Sequence, residues 1–258
     1  MPLAPRILFA ADDAIIVNLM SPILQNKGYS IAGTIKNSEE ALVKTIDAAP
    51  DLVVMDVNLT GLMDAIDAAH YIFQLFHVPV VFIAGTSDET KVARITYAQP
   101  CGILFKPFAA IEITASVDLA LSISADRVRT LGNLPVGDPR KMMDSESEAI
   151  IILDKRGRVI LFNTYASWFV DKSFKEAFMR HWRDVMMFVS ETNGEEVSDP
   201  VTAATKHMAG SIYDAGISIV TTTSKRRKVI LTIRPIRDNH DRLIASVMSL
   251  KENKKTYR

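Results

Sequence analysis

Five short apolar runs, each followed by an amphipathic segment, occupy the first half of this 258-residue chain. Most of the runs are uninterrupted, which is typical of strands that are buried on both faces. Strands that alternate with helices in this way favour an α/β fold with a parallel, doubly wound sheet of five strands. The predicted strands lie at 7–11, 29–35, 52–55, 80–84 and 102–105.

The second half of the chain has a different pattern. Residues 131–146 contain two prolines, two glycines and a Ser/Glu run, which predicts a linker. Two apolar runs then flank the turn 154–157, as in a β-hairpin. A stretch that we interpret as helical, at about 164–210, precedes three more strand-like runs. The pattern predicts an α+β domain with an antiparallel sheet over residues 147–252, followed by a polar tail at 253–258.

Charge and cysteine content exclude several classes of protein. Thirty basic and thirty acidic residues give a net charge of zero, so we expect no nucleic-acid partner. A single cysteine, Cys101, excludes an internal disulfide and fits a reducing compartment. No apolar stretch approaches the length of a membrane span, and acids interrupt the N-terminus where an export signal would be apolar. We therefore expect a cytoplasmic protein without membrane contacts.

Charged side chains follow three of the predicted strands. Asp12 and Asp13 follow the first strand, Asp56 the third and Lys106 the fifth. The carboxyl ends of parallel strands meet at one edge of a sheet, where ligands bind in such folds. Clustered carboxylates suit a hard cation such as Mg²⁺, and a lysine beside them suits a phosphoryl group. Any one of these residues alone could simply end its strand, but the set indicates a site.

The segments at these strand ends together resemble the receiver domain of two-component response regulators over residues 5–127. They read Arg6-Ile-Leu-Phe-Ala-Ala-Asp-Asp13, Asp51-Leu-Val-Val-Met-Asp56, Val78-Pro-Val-Val-Phe-Ile83 and Phe105-Lys-Pro-Phe108. The resemblance implies a flavodoxin-like receiver domain at residues 1–130. It also implies that Asp56 is the phosphoacceptor and that Lys106 pairs with the phosphate.

The resemblance further implies a Mg²⁺ site beside the phosphoacceptor. Asp12 and Asp56 would be carboxylate ligands, and Asn58 would offer its backbone carbonyl. The family usually has two acids after the first strand, and the first of them falls on Ala11 here. Asp13, one place later than the usual pair, is a candidate replacement for the missing ligand. We expect a metal site that is weaker than one with both acids.

Two further positions depart from the family pattern. The hydroxyl residue that usually ends the fourth strand and bonds to the phosphoryl group falls on Ala84. The aromatic residue of the fifth strand falls on Ile103. The sequence thus predicts an intact acceptor and lysine, with a weakened route for passing the signal through the fourth strand.

The second half resembles a PAS domain. The segment from Ile151 to Asn163 is similar to its opening hairpin, and the segment from Ile233 to Val247 is similar to its last two strands. Such domains bind small ligands or dimerise. We identify no cofactor-binding residue and expect no PAS ligand. His181 and His207 are weak candidates for haem ligands, and an aromatic cluster between residues 168 and 182 favours a packed core or a dimer face.

Together these features predict a response regulator rather than an enzyme. A sensor histidine kinase would phosphorylate Asp56 with Mg²⁺, and the signal would pass through contacts with a downstream protein or through a homodimer of the PAS domain. Two alternatives remain open. One is a pseudo-receiver that acts as an unphosphorylated scaffold, and the other is a small-ligand sensor based on the PAS domain. A flavodoxin-like nucleotide-binding enzyme is less favoured because Asp12 and Asp13 would repel phosphate.

Overall fold

The computed structural model divides the chain into two compact units, residues 1–134 and 135–258. The structure describes residues 4–85, 89–131, 143, 145, 147–206, 210–213, 216–238 and 240–253. Most of the predicted linker at 131–146, His207 and the tail beyond residue 253 lie outside this described part.

The first unit contains a five-stranded sheet in the order β2-β1-β3-β4-β5, with every neighbouring pair parallel. Its strands are β1 (Arg6–Ala10), β2 (Ser30–Ile35), β3 (Leu52–Asp56), β4 (Val80–Gly85) and β5 (Gly102–Lys106). This arrangement confirms the predicted parallel α/β sheet. All five residues of β3 are buried, as expected for a central strand covered on both faces.

Five helices connect and follow these strands in the described part of the unit. They are α1 (Ala14–Asn26), α2 (Ser38–Ala48), α3 (Ala65–Phe76), α4 (Glu89–Ile95) and α5 (Ala110–Leu131), and a 3₁₀ turn at Thr96–Ala98 extends α4. Side chains cap the first three helices, because Asp13, Asn37 and Asp64 each accept a hydrogen bond from a first-turn backbone N–H. These caps fix where each helix begins after its strand.

The second unit is built on a seven-stranded sheet whose pairs are all antiparallel. The strand order is β7-β6-β12-β11-β10-β8, and β9 pairs with β11. The strands are β6 (Ala149–Asp154), β7 (Val159–Phe162), β8 (Met186–Ser190), β9 (Ser211–Tyr213), β10 (Ile217–Thr221), β11 (Arg226–Arg237) and β12 (Leu243–Glu252). The predicted hairpin is confirmed as β6 and β7, joined by the turn at 154–157.

Three short helices and a 3₁₀ turn lie within the stretch that we predicted to be helical throughout. They are α6 (Thr164–Val170), α7 (Phe174–Ala177), the turn Trp182–Asp184 and α8 (Pro200–Lys206). The prediction is wrong at β8, which pairs with β10. Met186 and Phe188 are buried while Met187 is 42% exposed, so the segment has the two-residue period of a strand.

Most of the predicted aromatic cluster lies in the core of the second unit. Phe169, Phe178 and Trp182 are buried. Trp168 is about half exposed, and the guanidinium of Arg227 lies 4.2 Å from the centroid of its ring. A cation over an indole face is a favourable pairing, so Trp168 is held against β11 although it is exposed.

Residues 225–228, a basic run at the start of β11, form ion pairs within the second unit. Lys225 Nζ lies 2.8 Å from Asp171 Oδ1, and Lys228 Nζ lies 3.1 Å from Glu191 Oε2. Thr221, Thr223 and Lys225 donate hydrogen bonds to Asp171. These bonds lower the pKa of Asp171 from 3.8 to about 2, with the Lys225 bond making the largest contribution.

Candidate functional site

Asp56 is a buried carboxylate at the carboxyl end of the central strand β3. The residue is 6% exposed, and its two oxygens have different partners. Lys106 Nζ, at the end of β5, donates to Oδ2 at 2.8 Å. The backbone N–H of Asn58 donates to Oδ1, also at 2.8 Å. The predicted acceptor and the predicted lysine are therefore in direct contact, although 50 residues separate them in the chain.

The loop between β3 and α3 turns sharply after Asp56. The backbone N–H of Leu59 donates to the Asp56 carbonyl at 3.0 Å, which closes a tight turn. The side-chain oxygen of Asn58 accepts a hydrogen bond from Lys91 Nζ on α4. One helical turn later, Arg94 Nη1 lies 3.2 Å from Asp64 Oδ2. Two cations of α4 thus contact the segment that follows Asp56.

The residues after β1 have three different environments. Ala11 is 1% exposed, and its N–H donates to the Ile35 carbonyl at 3.0 Å. Asp12 is exposed at the carboxyl end of β1, which neighbours β3. Asp13 is also exposed, but its Oδ1 accepts from the Ile15 N–H at 2.9 Å and caps α1. The predicted role of Asp13 as a replacement metal ligand competes with this cap.

The donor set at this edge fits Mg²⁺ with few protein ligands. Within the described residues, no group of three or more His, Cys, Asp or Glu side chains is placed to hold a metal ion. Asp12 nevertheless follows β1 and Asp56 ends the neighbouring strand β3, and both side chains offer only oxygen atoms. Mg²⁺ is usually bound by one or two carboxylates, several waters and phosphate oxygens rather than by a full protein cage. Two carboxylates and a backbone carbonyl are sufficient donors for such a site.

Two of the positions that depart from the family pattern lie in β4 and β5. Ala84 is fully buried in β4, where it pairs with Phe105 of β5. Ile103 is partly buried in β5. Thr86 and Ser87, the next hydroxyl residues after Ala84, lie outside the described residues.

Lys91 and Arg94 were missed by the sequence reasoning because they match no motif, although two cations three residues apart on one predicted helix share a face.

In the second unit, His181 has a structural role. Its ring nitrogen Nδ1 accepts from the Arg183 N–H at 3.3 Å and caps the 3₁₀ turn. Its ring also packs closely on Gly157, which has a φ of 76° in the hairpin turn. A Cβ at Gly157 would lie only 2.8 Å from the imidazole Nε2. The imidazole is therefore used for packing and capping.

A cavity of about 370 Å³ lies on the β6, β11 and β12 side of the second unit. Glu148, Thr232, Arg234 and Ser249 give it a polar lining, and Ile150 and Val247 contribute apolar surface. Ser249 donates a hydrogen bond to Glu148 across it.

In the part of the chain that the structure describes, no helix is long and apolar enough to span a bilayer.

Comparisons with known proteins agree on the first unit. Residues 7–118 match the model of the response regulator receiver domain. The chain is 33% identical over 117 residues to the transcriptional regulatory protein PdtaR of Mycobacterium tuberculosis, covering 45% of this chain and 57% of that protein. It is 26% identical over 148 residues to the DNA-binding response regulator MtrA of Mycolicibacterium smegmatis, covering 56% and 64%. The chain thus spans less than two thirds of the length of these relatives.

Solved structures include similar receiver domains. One is the signal receiver domain of a modulated diguanylate cyclase from Desulfovibrio desulfuricans, with 27% identity and a TM-score of 0.46. The match covers 48% of this chain and 98% of that one.

Proposed function

Residues 7–118 are a response regulator receiver domain, and from this premise we propose that the chain accepts a phosphoryl group on Asp56 from a sensor histidine kinase. The observation that carries the proposal is the contact between the buried Asp56 carboxylate and Lys106 at 2.8 Å. An oxygen nucleophile held beside a fixed cation at the open edge of a parallel sheet is suited to phosphoryl transfer.

In the proposed transfer, a carboxylate oxygen of Asp56 attacks the phosphorus of a phosphohistidine. A P–O bond to Asp56 forms while the P–N bond breaks, and the bonding electron pair returns to the imidazole nitrogen. Lys106 holds its ammonium against the phosphoryl oxygens, where negative charge is greatest. Asp12, Asp56 and the Asn58 backbone carbonyl would hold Mg²⁺, which supplies additional positive charge to the phosphoryl oxygens when bound.

We further propose that the second unit is a PAS module that passes the signal on through protein contacts. The opening hairpin β6–β7 lies beside the C-terminal strands β12 and β11, which supports this assignment. We expect no bound ligand in it, no nucleic-acid contact, and signalling through a homodimer or a downstream protein. The protein would act in the cytoplasm, where sensor kinases present their phosphohistidine.

A second candidate function is an unphosphorylated scaffold. Ala11 and Ala84 favour it, because one removes a carboxylate from the metal site and the other removes a hydroxyl from the phosphoryl site. The same experiment separates the two functions.

The experiment is incubation with acetyl phosphate, with and without Mg²⁺, followed by intact mass. We expect a single phosphoryl group in the presence of Mg²⁺ and none after Asp56→Asn. Asp47→Asn is the matched control, since Asp47 is an exposed aspartate on α2 and should leave labelling unchanged. Failure of the wild-type chain to accept any label from acetyl phosphate or from a phosphorylated kinase would favour the scaffold.

A further inference from the structure

Two side chains of helix α4 contact the loop after Asp56, one close to Asp56 and the other at the far end of the loop. Lys91 Nζ donates to the side-chain oxygen of Asn58, two residues after Asp56. Arg94 pairs with Asp64, at the far end of the same loop. The two cations are three residues apart and therefore lie on one face of the helix. Only the Lys91 contact is adjacent to the acceptor.

A single residue, Asn58, connects Lys91 to the Asp56 carboxylate. Asn58 accepts from Lys91 through its side chain and donates its backbone N–H to Asp56 Oδ1 at 2.8 Å. The other carboxylate oxygen, Oδ2, is held by Lys106. Ala84, the last residue but one of β4, has no hydroxyl with which to bind a phosphoryl group. Because Asn58 contacts both Lys91 and Asp56, the ammonium of Lys91 lies close to the Asp56 carboxylate, on the side of α4.

We propose that Lys91 is a positioning residue whose hydrogen-bond partner depends on whether Asp56 is phosphorylated. When Asp56 carries a phosphoryl group, the Lys91 ammonium exchanges the Asn58 amide for phosphoryl oxygens, and α4 moves with it. Lys91 thereby takes over the coupling for which the family normally uses the hydroxyl missing at Ala84. This inference rests on the proposed phosphorylation of Asp56.

The change of partner follows from charge. Phosphorylation replaces a single negative charge by about two and adds three strong acceptor oxygens. Hydrogen bonds between ionised partners are roughly twice as strong as those between neutral groups. A lysine has a flexible stem and three rotatable donors, so it can change acceptor without losing its place on the helix. The Arg94–Asp64 pair is exposed and weak, so it does not hold α4 in place.

The test is hydrogen exchange of residues 89–98 in the full chain, with and without beryllofluoride and Mg²⁺. In the wild-type chain we expect the exchange rates of this segment to change by about tenfold, the effect of one charge-assisted bond. After Lys91→Met the change should fall below about twofold. Lys91→Arg keeps the cation and should keep at least half of the wild-type change on a logarithmic scale.

Arg94→Met is the matched control, since it removes a cation from the same face of α4 that contacts the same loop but not Asn58. It should retain the response. An unchanged response in Lys91→Met, or an equal loss in Arg94→Met or Lys91→Arg, would overturn the role of Lys91. Intact mass after acetyl phosphate treatment shows whether Asp56 is phosphorylated at all. It therefore distinguishes a wrong role for Lys91 from a wrong assignment of the proposed function. If both wild-type and Lys91→Met chains are labelled on Asp56, the response of α4 alone decides the inference.

Discussion

Replacing Lys106 by methionine should destabilise the first unit because it leaves the Asp56 carboxylate buried without its cation. The side chain of Asp56 is 9% exposed and that of Lys106 is 34% exposed. Breaking a fully buried pair costs about 3–5 kcal/mol, whereas an exposed pair contributes about 0–1 kcal/mol. The partly exposed lysine places this pair between the two limits. We expect Lys106→Met to lower the free energy of unfolding by about 1–3 kcal/mol at pH 7.

The same reasoning predicts strong coupling between the two residues. Asp56→Asn removes the charge that requires a cation, so Lys106→Met should cost less than about 1 kcal/mol when Asp56→Asn is already present. The four chains form a double-mutant cycle with a coupling energy of about 1–2 kcal/mol. In a unit of this size, Lys106→Met alone should lower the melting temperature by about 4–12 °C.

Scanning calorimetry measures the effect on the first unit, and tryptophan fluorescence provides an internal control. Both tryptophans of the chain, Trp168 and Trp182, lie in the second unit. The fluorescence transition should therefore keep its midpoint while the calorimetric transition of the first unit moves. A Lys106→Met effect that is equally large with and without Asp56→Asn would refute the electrostatic reasoning, and so would the absence of any effect.

Three further outcomes are expected. Asp171→Asn should destabilise the second unit at pH 7, and acid should remove the difference from wild type. A carboxyl whose pKa is about 2 when folded, against 3.8, stabilises the folded state above pH 4, and this contribution is lost as the pH falls to about 2. The shift corresponds to at most about 2.4 kcal/mol, and exposure of the Lys225 partner reduces it to about 1–2 kcal/mol. Urea titrations by fluorescence at pH 7 and pH 3 measure it, and about half of the contribution should remain at pH 3, which lies between the two pKa values. Ala84→Thr should restore part of the hydrogen-exchange response of α4 to a chain that carries Lys91→Met, since it returns a hydroxyl to β4. If the response does not increase, position 84 is not where a hydroxyl would bond to the phosphoryl group. Residues 140–258 expressed alone should dimerise in light scattering while residues 1–130 remain monomeric, and the reverse result would place self-association in the receiver domain.

The sequence was sufficient to predict the parts of the fold that depend on continuous burial. The apolar runs of β1, β3 and β4 lie in the middle of the parallel sheet, and burial on both faces leaves little choice of residue type. The Asp56–Lys106 contact could be predicted for a related reason, because strand ends in a parallel sheet share one edge.

The sequence was less informative where short elements and side-chain contacts decide the structure. Strand β8 is five residues long and follows several helical turns, so its two-residue period was interpreted as part of a helix. The sequence suggested Asp13 as a metal ligand, but it did not show that Oδ1 of this residue accepts the hydrogen bond that caps α1. The Lys91–Asn58 contact depends on the placement of α4 against the loop after β3, which no local pattern specifies.

Phosphorylation of Asp56 is the central claim, and tandem mass spectrometry of the chain treated with acetyl phosphate and Mg²⁺ tests it most directly. We predict one phosphoryl group per chain, located on the peptide that contains β3 and assigned to Asp56. Labelling of Asp12, Asp13 or a histidine in its place would contradict the account, as would labelling that survives Asp56→Asn.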